Sequence, residues 1–427
     1  MFFFTASTKG SEARSFGVAL NAPGRARVIT QNSCMLFWWA DKFTKLYRKK
    51  GRVTIELKRP GIDDAAICKL EWYLDSGQIV VWRQWSGEFS TYFGRQPALT
   101  ITSHLRLAAL AHNGLPSGMR PLKAGFRLCV NALHPTKGWD LSRTARFQVP
   151  FRLDRRATTT KVKRLVFSSV ARHPGGGALL LSGGLDSAVI AAIAVKLGKS
   201  FRAFVFSADL WSRLVNQRST DLGCARTVAK SLGFQLSEIR LHKKSLVRNV
   251  PLAVLLTETR RGTLVDVSAA LVDVARLLHK EGIRTAWLGE GADALFGGFG
   301  FALRYHRGAA LKRYCRHHLE VSLPDELAAL QRVFAYWDIS LIYPFWTRKL
   351  MELGYNLPLA YRFDSRRLMK MVLRNGFHKL LPQEIVNRPK GIPRDNTGVR
   401  RLLEERFGTS RERYLPIFRQ TFHETGQ

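Results

Sequence analysis

The pattern of apolar and polar positions divides the chain into two stretches of different period. Up to about residue 150, apolar and β-branched residues alternate with polar ones in short runs, at 52–57 (RVTIEL), 78–82 (QIVVW) and 98–102 (ALTIT). A period of two turns one face of each run to a core and the other outward, which predicts strands. Gly51, Gly61, Gly77, Gly87 and Gly94 punctuate these runs as turns. Residues 152–164 combine charge and threonine with few large apolar side chains and read as an interdomain linker.

From about residue 161 the pattern changes. Residues 178–181 (ALLL) form a short apolar strand, followed by a glycine turn and a helix over 186–197 that Gly198 ends. A second strand is expected at 201–207. A helix follows at 220–232, with Ser219 as its cap and Gly233 as its stop, and then a third strand at 235–241. A long helix at 264–280 leads to a fourth strand at 285–289. Strands alternating with helices at this spacing predict an α/β fold with right-handed βαβ units and a parallel sheet. Ligands of such sheets bind at the carboxyl ends of the strands. The expected division is a mostly β sandwich over 1–155 and a parallel-sheet domain over 156–427.

Composition adds limits. Hydrophobic content of 46% and charged content of 23% are those of an ordinary globular protein. No stretch approaches the roughly 18–20 uncharged apolar residues that span a bilayer. The start, MFFFTASTK, has no basic region ahead of its apolar run and is a poor secretion signal. Five cysteines, widely spaced and without a CxxC pair, read as reduced thiols of a cytoplasmic protein. Cys315, His317 and His318 are a weak metal candidate, read instead as solvated residues of a basic stretch. The net charge of +36 favours polyanions or an acidic substrate. The bases are spread along the whole chain and no nucleic-acid motif accompanies them, so the charge reads as an arginine-rich solvated surface.

Two motifs carry chemistry, both at ends of expected strands. The first is Leu181-Ser182-Gly183-Gly184-Leu185-Asp186-Ser187. Its glycines let backbone amides approach an anion, and the helix that follows adds its positive end. Ser182 and Ser187 can donate to phosphate oxygens. Asp186 would repel phosphate unless a cation lies between them, which makes it a Mg²⁺ ligand candidate. An ordinary tight turn into a capped helix is the alternative. The loop is not the GxxxxGK[ST] type, which has a lysine and no aspartate here. The second motif runs from Leu288 to Gly298, LGEGADALFGG. It sets Glu290 and Asp293 three residues apart beside glycines, so that Asp293 could complete a magnesium site with Asp186 while Glu290 acts as a general base. A surface turn with solvated acids is the alternative.

The two motifs together resemble the synthetase domain of asparagine synthetases and their relatives, the β-lactam synthetases and lasso-peptide cyclases. Residues 342–346 (IYPFW) are similar to that family's R-x-PFLD stretch, without its arginine and aspartate, and 380–391 (LLPQEIVNRPKG) to its LPxEI-x-R-x-K-x-G segment. The resemblance implies an ATP-pyrophosphatase domain with ATP and Mg²⁺ as cofactors. A carboxylate becomes an acyl-adenylate, pyrophosphate leaves and an amine attacks. It implies Lys390 as a catalytic lysine that neutralises developing charge. Leu180, Phe206 and Gly289 stand where the family's strand ends hold the adenine. Residues 77–93 and 101–108 are similar to segments of the family's glutaminase (Ntn-type) domain, yet Phe2 stands where a nucleophilic cysteine would be. The N-terminal domain therefore reads as a degenerate glutaminase-like sandwich.

That combination implies an amide synthetase whose amine belongs to its own substrate, with ring closure of a peptide (a lasso-type macrolactam) first. Glu290, where β-lactam synthetases place a tyrosine, favours it. A small-molecule or peptide substrate is implied, with a leader protease or precursor-recognition protein as partner. The alternatives are an ammonia-dependent asparagine synthetase or a β-lactam synthetase, then a tRNA-acting ATP pyrophosphatase, then a noncatalytic partner protein.

Overall fold

The computed structural model describes residues 2–5, 27–31, 34–38, 44–49, 51–58, 67–86, 90–94, 99–111, 115, 118–134, 139–144, 147, 154–208, 220–298, 308–364, 368–389 and 396–422. The chain divides into two compact units. One comprises Met1–Arg146, Pro324–Ala328 and Leu415–Gln427, the other Phe147–Leu323 and Ala329–Tyr414.

The first unit is mostly β. Its strands are β1 (Phe2–Thr5), β2 (Arg27–Gln31), β3 (Cys34–Trp38), β4 (Thr44–Lys49), β5 (Arg52–Lys58) and β6 (Ile67–Tyr73). Then come β7 (Gln78–Arg83), β8 (Tyr92–Gly94), β9 (Thr100–Thr102), β10 (Arg120–Pro121), β11 (Phe126–Asn131) and β12 (Asp140–Arg143). Two antiparallel sheets result, in the orders β10-β8-β9-β1-β3-β2 and β12-β11-β7-β6-β5-β4. Alternation sets the register: Val53, Ile55 and Leu57 of β5 lie opposite Trp72, Leu70 and Cys68 of β6. These inward residues share one core with Leu36, Phe93 and Ile101 of the other sheet, which makes the unit a sandwich. Gly77 closes the β6–β7 turn at φ 66°, where a Cβ would lie 2.4 Å from Leu133 Cγ.

The second unit is α/β. Its five parallel strands are β13 (Ala178–Leu180), β14 (Arg202–Ala208), β15 (Leu236–Leu241), β16 (Thr285–Trp287) and β17 (Ser340–Ile342), in the order β15-β14-β13-β16-β17. The chain runs outward from β13 to β15, then returns to the other side of β13 with β16. The order reverses between β13 and β16, and a ligand crevice forms outside the carboxyl ends at such a reversal. The helix Leu185–Lys196 is buried along its length from Leu185 to Ala194, which is why it carries so little polar sequence. Among the described residues, no helix is long and apolar enough to cross a membrane.

Four expectations need correction. The stretch read as a linker begins a helix, Arg155–Arg172, capped by Asp154, whose carboxylate accepts from Ala157 N at 2.7 Å. Thr158 and Thr159 return their hydroxyls to the carbonyls of Asp154 and Arg155, at 2.6 and 2.9 Å, so the threonines are absorbed into the helix. Val162, Val166 and Val170 form its buried stripe. The helix Lys243–Thr257, with Pro251 inside it, stands where no helix is expected. Its buried face of Leu246, Val250, Ala253 and Val254 outweighs the proline. The helix Asp221–Leu232 is capped by Thr220, whose Oγ1 accepts from Gly223 N at 3.1 Å. Ser219 lies outside the described residues. A fifth strand, β17, completes the sheet.

Candidate active site

Both glycine-rich motifs lie at the order reversal. The first follows β13. Gly183 sits at φ 64°, and a Cβ there would lie 2.5 Å from Ala225 N and from Cys224 Cβ, so only glycine lets the helix Asp221–Leu232 pack against the loop. Ser182 N donates to Ser187 Oγ at 3.2 Å, Ser187 Oγ donates to Gly184 O at 3.2 Å, and the two hydroxyl oxygens are 3.2 Å apart. The helix Leu185–Lys196 begins at Gly184 with no side-chain cap. Its first amides and positive end are therefore presented without a built-in acceptor, as anion-binding helices present them.

The second motif follows β16 and meets the first. A Cβ on Gly289 would stand 3.0 Å from Asp186 Cβ. Asp293 lies on the short helix Ala292–Phe296. At Gly298 a Cβ would fall 1.7 Å from Asp293 Oδ1 and 2.6 Å from Lys370 Cε, so that glycine makes room for an ion cluster. In the cluster, Lys370 Nζ lies 2.5 Å from Asp186 Oδ2 and 2.5 Å from Asp293 Oδ1. The lysine is 2% exposed. Its backbone is left-handed, φ 61°, which strains a residue with a side chain by about 1 kcal/mol.

This geometry accompanies a match to known proteins. The family model described as asparagine synthase matches residues 169–316 and 304–424, more than half of the chain. The chain belongs to the asparagine synthase family. It is 28% identical over 233 residues to asparagine synthetase [glutamine-hydrolyzing] 3 of Arabidopsis thaliana, covering 52% of this chain and 40% of that one. It is 26% identical over 255 residues to asparagine synthetase B [glutamine-hydrolyzing] of Escherichia coli (strain K12), covering 57% of this chain and 44% of that one. The matches thus span about two fifths of those relatives' length. An NMN synthetase from Francisella tularensis is similar over 64% of this chain and 94% of that one, at 13% identity and a TM-score of 0.30, too loose a likeness to argue from.

In this asparagine synthase family member, a cleft of ≈ 40 Å³ is lined by Ser182, Asp186, Lys370, Arg374 and Arg388 among others. Arg388 Nη2 donates to Asp221 Oδ1 at 2.9 Å, and Asn396 Nδ2 donates to the same oxygen at 3.0 Å. Two carboxylates facing one cation are the hard oxygen donors that Mg²⁺ takes, and here the Lys370 ammonium lies between them. Mg²⁺ characteristically takes one or two carboxylates and fills the remaining positions with phosphate oxygens and water. Among the described residues there is no group of three or more His, Cys, Asp or Glu that could hold a metal ion.

The other sequence-predicted residues fall as follows. Leu180 is the buried last residue of β13, and Phe206 is half-buried on the adjacent β14, two residues past the Leu180–Phe204 pairing. Glu290 is half-buried in the turn between β16 and Asp293. Lys390 lies outside the described residues.

Sequence reasoning missed Lys370 and Arg374. Both sit in a basic stretch where neither spacing nor composition distinguishes them from surface charge. It also misread His318, as solvated. His317 is exposed, but His318 opens a π-helical turn, His318–Ser322, packed against the helix that carries Asp293. Burial pushes its imidazole down to about 4, against the charge of Asp293, so it is neutral at pH 7.

Proposed function

We propose that the chain is an ATP-dependent carbon–nitrogen ligase that adenylates a substrate carboxylate and couples it to an amine. The reading rests on one observation: at the sheet's order reversal, an uncapped helix N-terminus stands beside two carboxylates held by one lysine. The substrate carboxylate attacks the α-phosphorus of ATP and the α–β phosphoanhydride breaks. An amine then attacks the acyl carbon, AMP leaves, and the amine's proton passes to Glu290. Asp186 and Asp293 would hold Mg²⁺, which supplies neutralisation of the departing pyrophosphate when bound. The first amides of the helix Leu185–Lys196, with the Ser182 and Ser187 hydroxyls, orient the phosphates. Lys370, Arg388 and Lys390 offset the charge that develops on them, a contribution of several kcal/mol in a dry site. Leu180, Phe206 and Gly289 would border the adenine.

For the substrate we favour an intramolecular or peptide amine, with a macrolactam as product. In support, Glu290 is half-buried in the turn after β16, where a carboxylate would serve to accept the amine's proton. The names of the relatives favour a second reading, asparagine formation from aspartate and ammonia. We assign residues 1–155 to a glutaminase-like sandwich and 156–427 to the synthetase domain. Among the described residues of that sandwich, Cys68 is a poor nucleophile, because burial pushes its thiol up to about 11. We place the protein in the reducing cytoplasm, which suits the buried thiols Cys68, Cys224 and Cys315.

ATP–pyrophosphate exchange, screened against aspartate, acidic peptides and small dicarboxylates, tests the reading. Exchange is expected with one class of carboxylate and is abolished in Asp186→Asn. Exchange by that variant at the wild-type rate overturns the proposal. Exchange driven by aspartate together with ammonia turns it to the second reading.

A further inference from the structure

The left-handed backbone of Lys370 needs a restraint, because an L-residue holds that conformation only where its surroundings over-determine it. Arg374 supplies that restraint. Its side chain is 4% exposed and lies one turn along the helix Met371–Phe377. Its Nε donates to Met369 O at 2.6 Å, the peptide directly before Lys370. Arg374 N donates to Lys370 O at 3.1 Å, closing the other side. The remaining guanidinium edge donates to Val386 O and, at 2.9 Å, to Arg388 O. One planar fork therefore ties the segment that presents Lys370 to the segment that presents Arg388.

Buried Arg362 is held in the same way, by the carbonyls of Leu357, Ala294, Leu295 and Gly354. A buried cation ordinarily meets a carboxylate, yet the donors of Arg374 meet main-chain carbonyls. Burial depresses its pKa, so the arrangement is not a cheap source of stability. A lysine there would reach one carbonyl and leave the others unjoined, since only the planar guanidinium spans them.

We propose that Arg374 is the positioning residue of the anion cleft: by joining the carbonyls of Met369, Val386 and Arg388 it holds Lys370 in its left-handed conformation between Asp186 and Asp293. The proposal rests on the ligase reading only in taking pyrophosphate as the anion. The rival account is that Arg374 acts by its own charge on the bound anion, and the two differ in how mutations combine.

The test is a double-mutant cycle on inorganic pyrophosphate with Mg²⁺, by titration calorimetry of the full chain. Arg374→Lys is expected to weaken binding at least tenfold in the wild-type background and less than twofold in the Lys370→Met background. Losses that multiply independently, or wild-type binding by Arg374→Lys, overturn the proposal. A second readout needs no pyrophosphate: the acetylation rate of Lys370, followed by mass spectrometry. It is expected to rise at least tenfold in Arg374→Lys while Cys224 and Cys315 stay protected from alkylation. Unchanged acetylation, or loss of thiol protection together with it, counts against local positioning. Should wild-type protein fail to bind pyrophosphate while the acetylation result holds, the ligase reading falls and the positioning role stands.

Discussion

Two buried ion clusters in the α/β unit use the same chemistry to different ends. In one, Asp266 is 0% exposed and accepts from Tyr414 Oη at 2.6 Å on one oxygen and from Arg413 Nη2 at 2.6 Å on the other. The Arg413 guanidinium also covers the Tyr414 ring, 4.9 Å from its centroid. Each Asp266 oxygen has its own donor, Arg413 Nη1 also lies 3.9 Å from Glu404 Oε1, and the cluster pins the chain after the helix Val399–Phe407 to the helix Gly262–Lys280. In the other, two acids share the Lys370 ammonium, the lysine is in a strained conformation, and the cluster lines the cleft. Burial alone does not separate them. What separates them is backbone strain and place: the first cluster joins helices of the unit, whereas the second lines the cleft at the sheet's order reversal.

Breaking each cluster should therefore give opposite phenotypes. Lys370→Met is expected to lower kcat about 10²–10³-fold, the size of effect seen when a group aimed at developing charge is removed. It should also tighten Mg²⁺ binding in the absence of nucleotide, because two facing carboxylates lose their internal counter-ion. Calorimetry with MgCl₂ reads this directly, and unchanged or weaker Mg²⁺ binding would remove that counter-ion role. Asp266→Asn should do the reverse. Taking from buried Arg413 the nearer of its two acids, with Glu404 left at 3.9 Å, should cost about 3 kcal/mol of stability, seen in urea unfolding, while kcat of the folded protein is unchanged. If Asp266→Asn lowered kcat at constant stability, the distinction between the clusters would fail.

The same contrast explains what could be read from the sequence. Strands β5 and β7 were legible because period-two alternation is local, and the loops at Ser182 and Glu290 because glycines and acids at fixed spacing carry their own reason. The helix Arg155–Arg172 was hidden by a threonine run, although Val162, Val166 and Val170 kept their spacing of four. Lys370 could not be found this way. Its meaning comes from an ion pair with a residue 184 positions away and from a φ that only tertiary structure imposes. Tyr414 was silent for the same reason, since nothing near it in the chain announces Asp266.

The smallest effect expected is also the cleanest mark of the Asp266 cluster. Burial, reinforced by the Asp266 carboxylate, raises the Tyr414 phenol above its ordinary value of about 10. The folded state keeps that proton where the unfolded state loses it, so between pH 10 and the raised value the unfolded chain binds fewer protons. Stability from this group is full below about pH 10 and falls as pH rises, the sign that linkage requires. Tyr414→Phe should cost about 1.5–3 kcal/mol at pH 7, the worth of one hydrogen bond to a charged group. It should also flatten the alkaline limb of the unfolding curve and leave kcat unchanged. An alkaline limb as steep in the variant as in the wild type would show that Asp266 and Tyr414 are not closed against solvent, and the contrast with the Lys370 cluster would lose its footing.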